Sequence, residues 1–341
     1  MSDDLKGILT STLLWPGLAM FLACTSADIP TEPESIAAAA KSGGVTLTQR
    51  DLGIPEVFSA AYAINNQGQV VGERADEFDT PGRAFLWDRG SITDLGTLGG
   101  LYARAFGINE LGHIVGDATT ADGQTHAFLW DHQIMQDLGT LGSDWSTAID
   151  VNNAAQVVGN SMTPRGDVHG FLWQAGAMTN LGTLGGIATY PSAINNNGEV
   201  VGSSHTAFEN PFGQAIEHAF IWRQGTMTDL GTLGGFFSRA HDINDKGQVV
   251  GVSDTRRNDG ELHGFLWENG KMKDLGTNFQ PWRINNRGQI VGSNPALEVL
   301  LWDRGKLTKV VDEGFPSGIN DSTTIAGQNG GPVRHAVIWT R

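Results

Sequence analysis

Cysteine is all but missing from this chain: the only one, Cys24, leaves no disulfide possible within a single copy. Basic residues are scarce too. Lys and Arg number 22 against 37 Asp and Glu, a formal net charge of −15, which opposes long-range attraction to nucleic acid or to an anionic membrane surface. No apolar run reaches the roughly 18 to 20 residues that cross a bilayer, since residues 8–23 are interrupted by Thr10, Ser11, Thr12 and Pro16. A His-Glu-x-x-His helix, a Gly-x-Ser-x-Gly elbow and a phosphate-binding Gly loop are all absent. No standard catalytic constellation can therefore be read from the chain.

What is present is a repeat. Its clearest copy reads Ala193-Ile194-Asn195-Asn196-Asn197-Gly198-Glu199-Val200-Val201-Gly202, then His218-Ala219-Phe220-Ile221-Trp222, then Thr228-Asp229-Leu230-Gly231-Thr232-Leu233-Gly234-Gly235. The Asn of the first motif recurs at Asn65, Asn109, Asn152, Asn195, Asn244, Asn285 and Asn320, which defines seven units. The Trp that ends the second motif recurs at Trp87, Trp130, Trp173, Trp222, Trp267, Trp302 and Trp339. Seven of the ten tryptophans thus hold one repeat position, which points to packing.

Within a unit, short apolar runs separated by turn signals predict four strands and no helix. The Asn-x-x-Gly segment suits a tight hairpin, because Asn and Gly tolerate positive φ at little cost. A period near forty that is rich in strand formers predicts small sheets that bury their faces against one another. Closing such an array removes its exposed ends. The expected fold is all-β, a seven-bladed β-propeller with four antiparallel strands per blade. The last unit ends at Trp339-Thr340-Arg341 without a fourth strand, whereas Thr48-Gln49-Arg50-Asp51-Leu52-Gly53 resembles the fourth strand elsewhere. Residues 45–53 are therefore expected to complete the last blade.

These motifs resemble the HAF repeat family, named for the His-Ala-Phe seen at 126–128 and 218–220. The resemblance covers about residues 50–341. Arg83 replaces the His, Gly170 and Gly264 replace the Ala, and the sixth and seventh units are eroded. The resemblance implies an extracellular location and a propeller-like fold, and it implies no particular chemistry.

Residues 8–23 suit the core of a secretory signal, and Cys24 follows directly in Phe21-Leu22-Ala23-Cys24, which looks like a bacterial lipobox. The expected organisation is a signal and lipobox over residues 1–24, a flexible tether over 25–44 and the propeller over 45–341. Cys24 is the expected lipidation site, with cleavage after Ala27 as the rival. The membrane is then met only through that anchor, and the expectation is a monomer in the cell envelope or outside the cell.

The His of the third strand recurs at His126, His169, His218, His263 and His335. Ligands for one metal must converge on it, whereas equivalent positions in successive units point apart, so no metal and no cofactor is expected. A bond to a neighbouring blade or to a loop carbonyl is the expected use of these imidazoles. Asp242-Ile243-Asn244-Asp245-Lys246-Gly247 looks like the start of a calcium loop, but Lys at its fifth position favours a plain turn.

Chain direction puts both tight turns at one end of the sheets and the variable loops with the crossovers at the other. Variable loops on a rigid scaffold are where binding usually resides. Aromatic and Arg residues gather there in sequence: Tyr102, Arg104, Trp145, Tyr190, Phe237, Arg239 and Trp282 form the candidate ligand site, for a protein or glycan. Packing between neighbouring sheets is the competing use of the same rings. A polysaccharide-acting hydrolase or lyase would instead need two converging carboxylates, drawn from Glu73, Asp76, Glu77, Glu209, Glu217 and Asp254. A purely structural surface repeat is the third alternative.

Overall fold

The computed structural model describes residues 47–55, 58–76, 81–210, 213–255, 261–331 and 333–341. The signal-like segment, Cys24, the tether and Glu77 lie outside the described residues. Among those described there are 28 strands and no helix. They form four-stranded antiparallel sheets of the β-propeller kind, two of them joined by a single parallel bridge between Glu217 and Phe237.

The third unit shows the plan: Ser146–Val151, Val157–Met162, Val168–Gln174 and Ala177–Asn180 lie side by side in chain order. The second strand is almost wholly buried and the fourth almost wholly exposed. The core lies between sheets rather than within one. Val115, Ala127 and Leu129 of the second unit pack with Ala148, Val157, Phe171 and Trp173 of the third. Trp87, Trp130, Trp173, Trp222 and Trp339 are all buried, whereas Trp267 and Trp302 are half-buried.

Thr48–Asp51 pairs antiparallel with Ala336–Thr340 and stands as the fourth strand of the sheet formed by Gly314–Ile319, Ile325–Asn329 and Ala336–Thr340. Its end copies the local bonds of the repeat. Gly53 N–H donates to Asp51 Oδ1 (2.8 Å) as Gly96 N–H donates to Asp94 Oδ1 (2.9 Å). Trp87 Nε1 donates to the Leu52 carbonyl and Trp339 Nε1 to Gln49 Oε1, each at 3.1 Å, tying the segment to the first and last units.

Every first strand bulges at the same place. At this place the register of each unit slips by one residue, at Tyr62, Phe106, Ile149, Ser192, His241, Trp282 and Ser317. The bulge drives a carbonyl under the glycine that ends Val-Val-Gly. A Cβ on Gly72 would lie 1.8 Å from the Ala60 oxygen, and one on Gly159 would lie 2.0 Å from that of Thr147. Only a residue without Cβ accepts that approach, which accounts for the glycine.

Candidate functional site

At the hairpin end the seven Asn residues do more than turn the chain. Asn152 is 3 % exposed, and its Oδ1 accepts the N–H groups of Ala154 and Gln156 at 3.0 Å. Its Nδ2 donates to Gln156 Oε1 (2.7 Å) and to the Asn195 carbonyl of the next unit (3.1 Å). A primary amide offers two acceptor sites and two donors, and all four are used. The same reach to the next unit joins Asn65 to Asn109, Asn109 to Asn152, Asn195 to Asn244, Asn244 to Asn285 and Asn285 to Asn320. Asn320 then donates to the Asn65 carbonyl at 3.2 Å, so the series returns to its start.

The residues that follow these Asn make a second series. Backbone N–H groups of Asn66, Glu110, Asn153, Asn196, Asp245, Asn286 and Asp321 each donate to the side-chain oxygen of the next member, and Asp321 donates to Asn66 Oδ1 at 2.7 Å. A cavity of about 190 Å³ lies among these hairpins, floored by the Ile or Val before each Asn and rimmed by the second series. Glu110, Asp245 and Asp321 place three carboxylates on that rim. Burial, the largest cause, raises the Glu110 carboxyl, and Asp321 and Asp245 add to the rise. Remaining rim oxygens are also engaged: Asn196 and Asn286 both donate to Asp245 Oδ2 at 3.0 Å. A rim that satisfies itself is a structural clasp.

Above the floor, charged residues interrupt an otherwise small position. Asp150 accepts the N–H groups of Val151 (2.8 Å) and, in the next unit, Ile194 (2.9 Å). Asp242 does the same for Ile243 (2.9 Å) and Ile284 (2.8 Å). Burial pushes the Asp150 carboxyl up to about 7, the bound N–H groups opposing it, and pushes Asp242 up to about 6, with Arg283 the main opposing charge. His241 Nδ1 donates to the Pro281 carbonyl (2.7 Å), and burial pushes its imidazole down to about 4.

The sequence-predicted ligand residues do not form one cluster. Tyr102 and Phe237 share one repeat position with Trp145 near the loop-bearing end, and all are half-buried. Arg104 is held by Asp117 through two bonds (3.2 and 2.9 Å) and lies over the Tyr102 and Phe106 rings at 5.1 and 4.9 Å. Arg239 repeats this with Glu217 (3.1 and 2.8 Å) and the Phe237 ring at 5.6 Å. Tyr190 sits two positions further in, its ring edge-on to His205 at 6.2 Å. Trp282 is a bulge residue, stacked on His241 at 4.8 Å and donating to Ser293 Oγ. Trp282 lies at the bulge, four residues nearer its hairpin Asn than the position shared by Tyr102, Trp145 and Phe237.

The third-strand His residues depart from expectation. His126, His218 and His263 place Nδ1 2.8 to 2.9 Å from Asp137, Asp229 and Asp274, and His169 meets Asn180 at 2.7 Å. The partner is the fourth strand of the same sheet, not a neighbouring sheet or a loop carbonyl, because strands three and four are paired and the Asp is already held by the Gly N–H it accepts. Three of the carboxylates proposed for catalysis are likewise engaged: Glu73 with the Tyr62 hydroxyl (2.5 Å), Glu217 with Arg239, and Asp254 with the N–H groups of Phe236 and Phe237. Among the described residues no group of three ligating side chains converges as a metal site would require.

No protein-family profile matches the chain, and no curated protein does. Solved structures match in fold. The β-propeller domain of the trilobed protease from Pyrococcus furiosus, described as having an open velcro topology, aligns with TM-score 0.60 at 9% identity over 83% of this chain and 95% of that one. Acylaminoacyl peptidase from Pyrococcus horikoshii aligns with TM-score 0.58 at 11% identity over 84% of this chain and 51% of that one. YCF48 bound to D1 peptide aligns with TM-score 0.52 at 10% identity over 89% of this chain and 97% of that one. At such identities the likeness concerns the fold.

Proposed function

We propose that this chain is an exported, lipid-anchored repeat protein of the HAF type, whose propeller of seven blades is closed by its N-terminal strand and binds a protein or glycan through the loop-bearing end. The pairing of Thr48–Asp51 with Ala336–Thr340 and the amide series that returns from Asn320 to Asn65 support closure. The binding reading rests on Arg104 and Arg239, each placed over an aromatic ring and held there by a carboxylate. Preorganised amphipathic surfaces of this kind lose little freedom when a ligand arrives. YCF48, a likeness in fold, was solved with a peptide bound. Export and anchoring rest on the segment before Cys24.

Screening the purified mature protein on glycan and peptide arrays tests the binding role. Hits should weaken when Tyr102 and Phe237 are replaced by Ala at unchanged melting temperature, and hits indifferent to both changes would refute the site. Mass spectrometry of the mature N-terminus tests export: a lipidated Cys24 is expected, and an intact Met1 would overturn it.

A further inference from the structure

Three crossovers carry a second, larger bulge. Gly99 pairs with Thr120 and Ala103 with Ala118, so residues 100–102 stand opposite Thr119 alone. Residues 186–188 likewise oppose His205, and residues 235–237 oppose Asp254. Surplus residues bow a strand outward, and the middle one is thrown into solvent: Leu101 is 80% exposed, Ile187 67% and Phe236 45%.

These bulges are built, not slack. The Thr of each Thr-Leu-Gly-Gly accepts the N–H of the first Gly and donates to the carbonyl of the second, through Thr97, Thr183 and Thr232. The opposing side chain locks two of them further: Thr119 Oγ1 accepts the Tyr102 N–H, and Asp254 accepts those of Phe236 and Phe237. The second Gly is required there, since a Cβ on Gly235 would lie 2.2 Å from Asp254 Oδ1. Hydrogen bonds thus hold apolar side chains out in water, which folding alone does not favour.

The third unit has the same Thr lock, Thr140 Oγ1 to the Ser143 carbonyl, and presents Asp144 where its neighbours present Leu101, Ile187 and Phe236. Four consecutive units therefore display apolar, acidic, apolar, apolar. Asp122 and Glu209 are also exposed in this stretch, against the exposed Arg165 of the third unit, while Arg104 and Arg239 are already paired with Asp117 and Glu217. Resting on the loop-end reading above, we infer that units two to five form a docking surface for a basic, extended peptide segment whose apolar side chains cover Leu101, Ile187 and Phe236 and whose cation meets Asp144. The net charge of −15 favours such a partner at long range.

The test is fluorescence anisotropy of the mature protein with three labelled twelve-residue peptides of alternating Lys and Leu, Glu and Leu, or Lys and Ser. Binding of the Lys–Leu peptide alone, weakening with salt, is expected. Joint replacement of Leu101, Ile187 and Phe236 by Ser should weaken it about tenfold or more, and Asp144→Lys should weaken it with a flattened salt dependence, both at unchanged melting temperature. Leu111→Ser, an exposed hairpin-end change, should do nothing. Equal binding of the Glu–Leu peptide, with the triple variant still deficient, would leave the loop-end reading standing and overturn the basic partner. No Lys–Leu binding, or binding insensitive to the triple change, would overturn the docking surface. A loss confined to Leu111→Ser would overturn the loop-end reading itself.

Discussion

Replacing Asn152 by Asp tests the amide series most sharply, because it changes one atom and almost no volume. The Nδ2 donors to Gln156 Oε1 and to the Asn195 carbonyl disappear and an oxygen faces each acceptor instead. The Oδ1 contacts to Ala154 and Gln156 N–H survive. Leaving the buried Asn195 carbonyl and the half-buried Gln156 Oε1 without these donors costs about 1–3 kcal/mol each, so the two give about 2–6 kcal/mol before any cost of the new charge at a site 3% exposed. At about 2 °C per kcal/mol for a chain of this size, the melting temperature should fall by about 4–12 °C. Because the charge is part of the penalty, the deficit should shrink as pH is lowered towards 4. Scanning calorimetry of parent and variant at pH 7.5 and 4.5 measures both. A melt within 1 °C of the parent at pH 7.5 (roughly 0.5 kcal/mol) would refute the view that these amides join one unit to the next.

The remaining tests address other parts of the molecule. Deleting residues 45–53 removes the strand paired with Ala336–Thr340 and the acceptors of Trp87 and Trp339; the melting temperature should drop sharply, and an unchanged melt would argue against closure by this strand. Gly159→Ala forces a Cβ against the Thr147 carbonyl and should cost about 3 kcal/mol in urea unfolding. Trp173→Ala should cost about 3–5 kcal/mol without altering the affinity of any loop-end ligand; a lost affinity at full stability would contradict a packing role. Asp150 and Asp242 have folded pKa values raised to about 7 and about 6. Their contribution is therefore fully present below the unfolded carboxyl range and lost as pH rises through 6 to 7. The melting temperature should be higher at pH 5 than at pH 8, and the double change to Asn should flatten that slope.

The all-β architecture and the four-strand unit were legible because they depend on local pattern. Asp51-Leu52-Gly53 betrayed its kinship with Asp94-Leu95-Gly96 through residue types that make the same bond two residues on. The reach of each Asn into the next unit was not legible, since its partner is another backbone some forty residues away and carries no side-chain signature. A clue existed: every hairpin Asn is followed by Asn, Asp or Glu, more acceptors than a turn requires. The bulges were hidden for another reason. A register slip shifts the alternation by one, and Trp282, counted as a neighbour of Tyr102 and Phe237, faces His241 instead.

In a repeat of this kind, position and role separate by a physical criterion. The hairpin Asn, the residue after it and the Thr of the crossover recur because each completes hydrogen bonds within the fold, and the Val-Val-Gly glycine recurs because a Cβ there would meet a carbonyl. Individual chemistry must therefore sit where the units differ. Two positions show such differences most plainly. One, before the hairpin, is small in most units but becomes Asp150, Asp242 and Arg283, and there the two carboxylates accept backbone N–H groups while Arg283 donates to the Trp282 carbonyl. The other is the bulge tip, where Leu101, Asp144, Ile187 and Phe236 turn outward and only the second kind of divergence reaches solvent. Divergence turned inward tunes how firmly the units hold together with pH, whereas divergence turned outward is available to another molecule, so changes at the bulge tips should move affinity and leave the pH dependence of melting untouched.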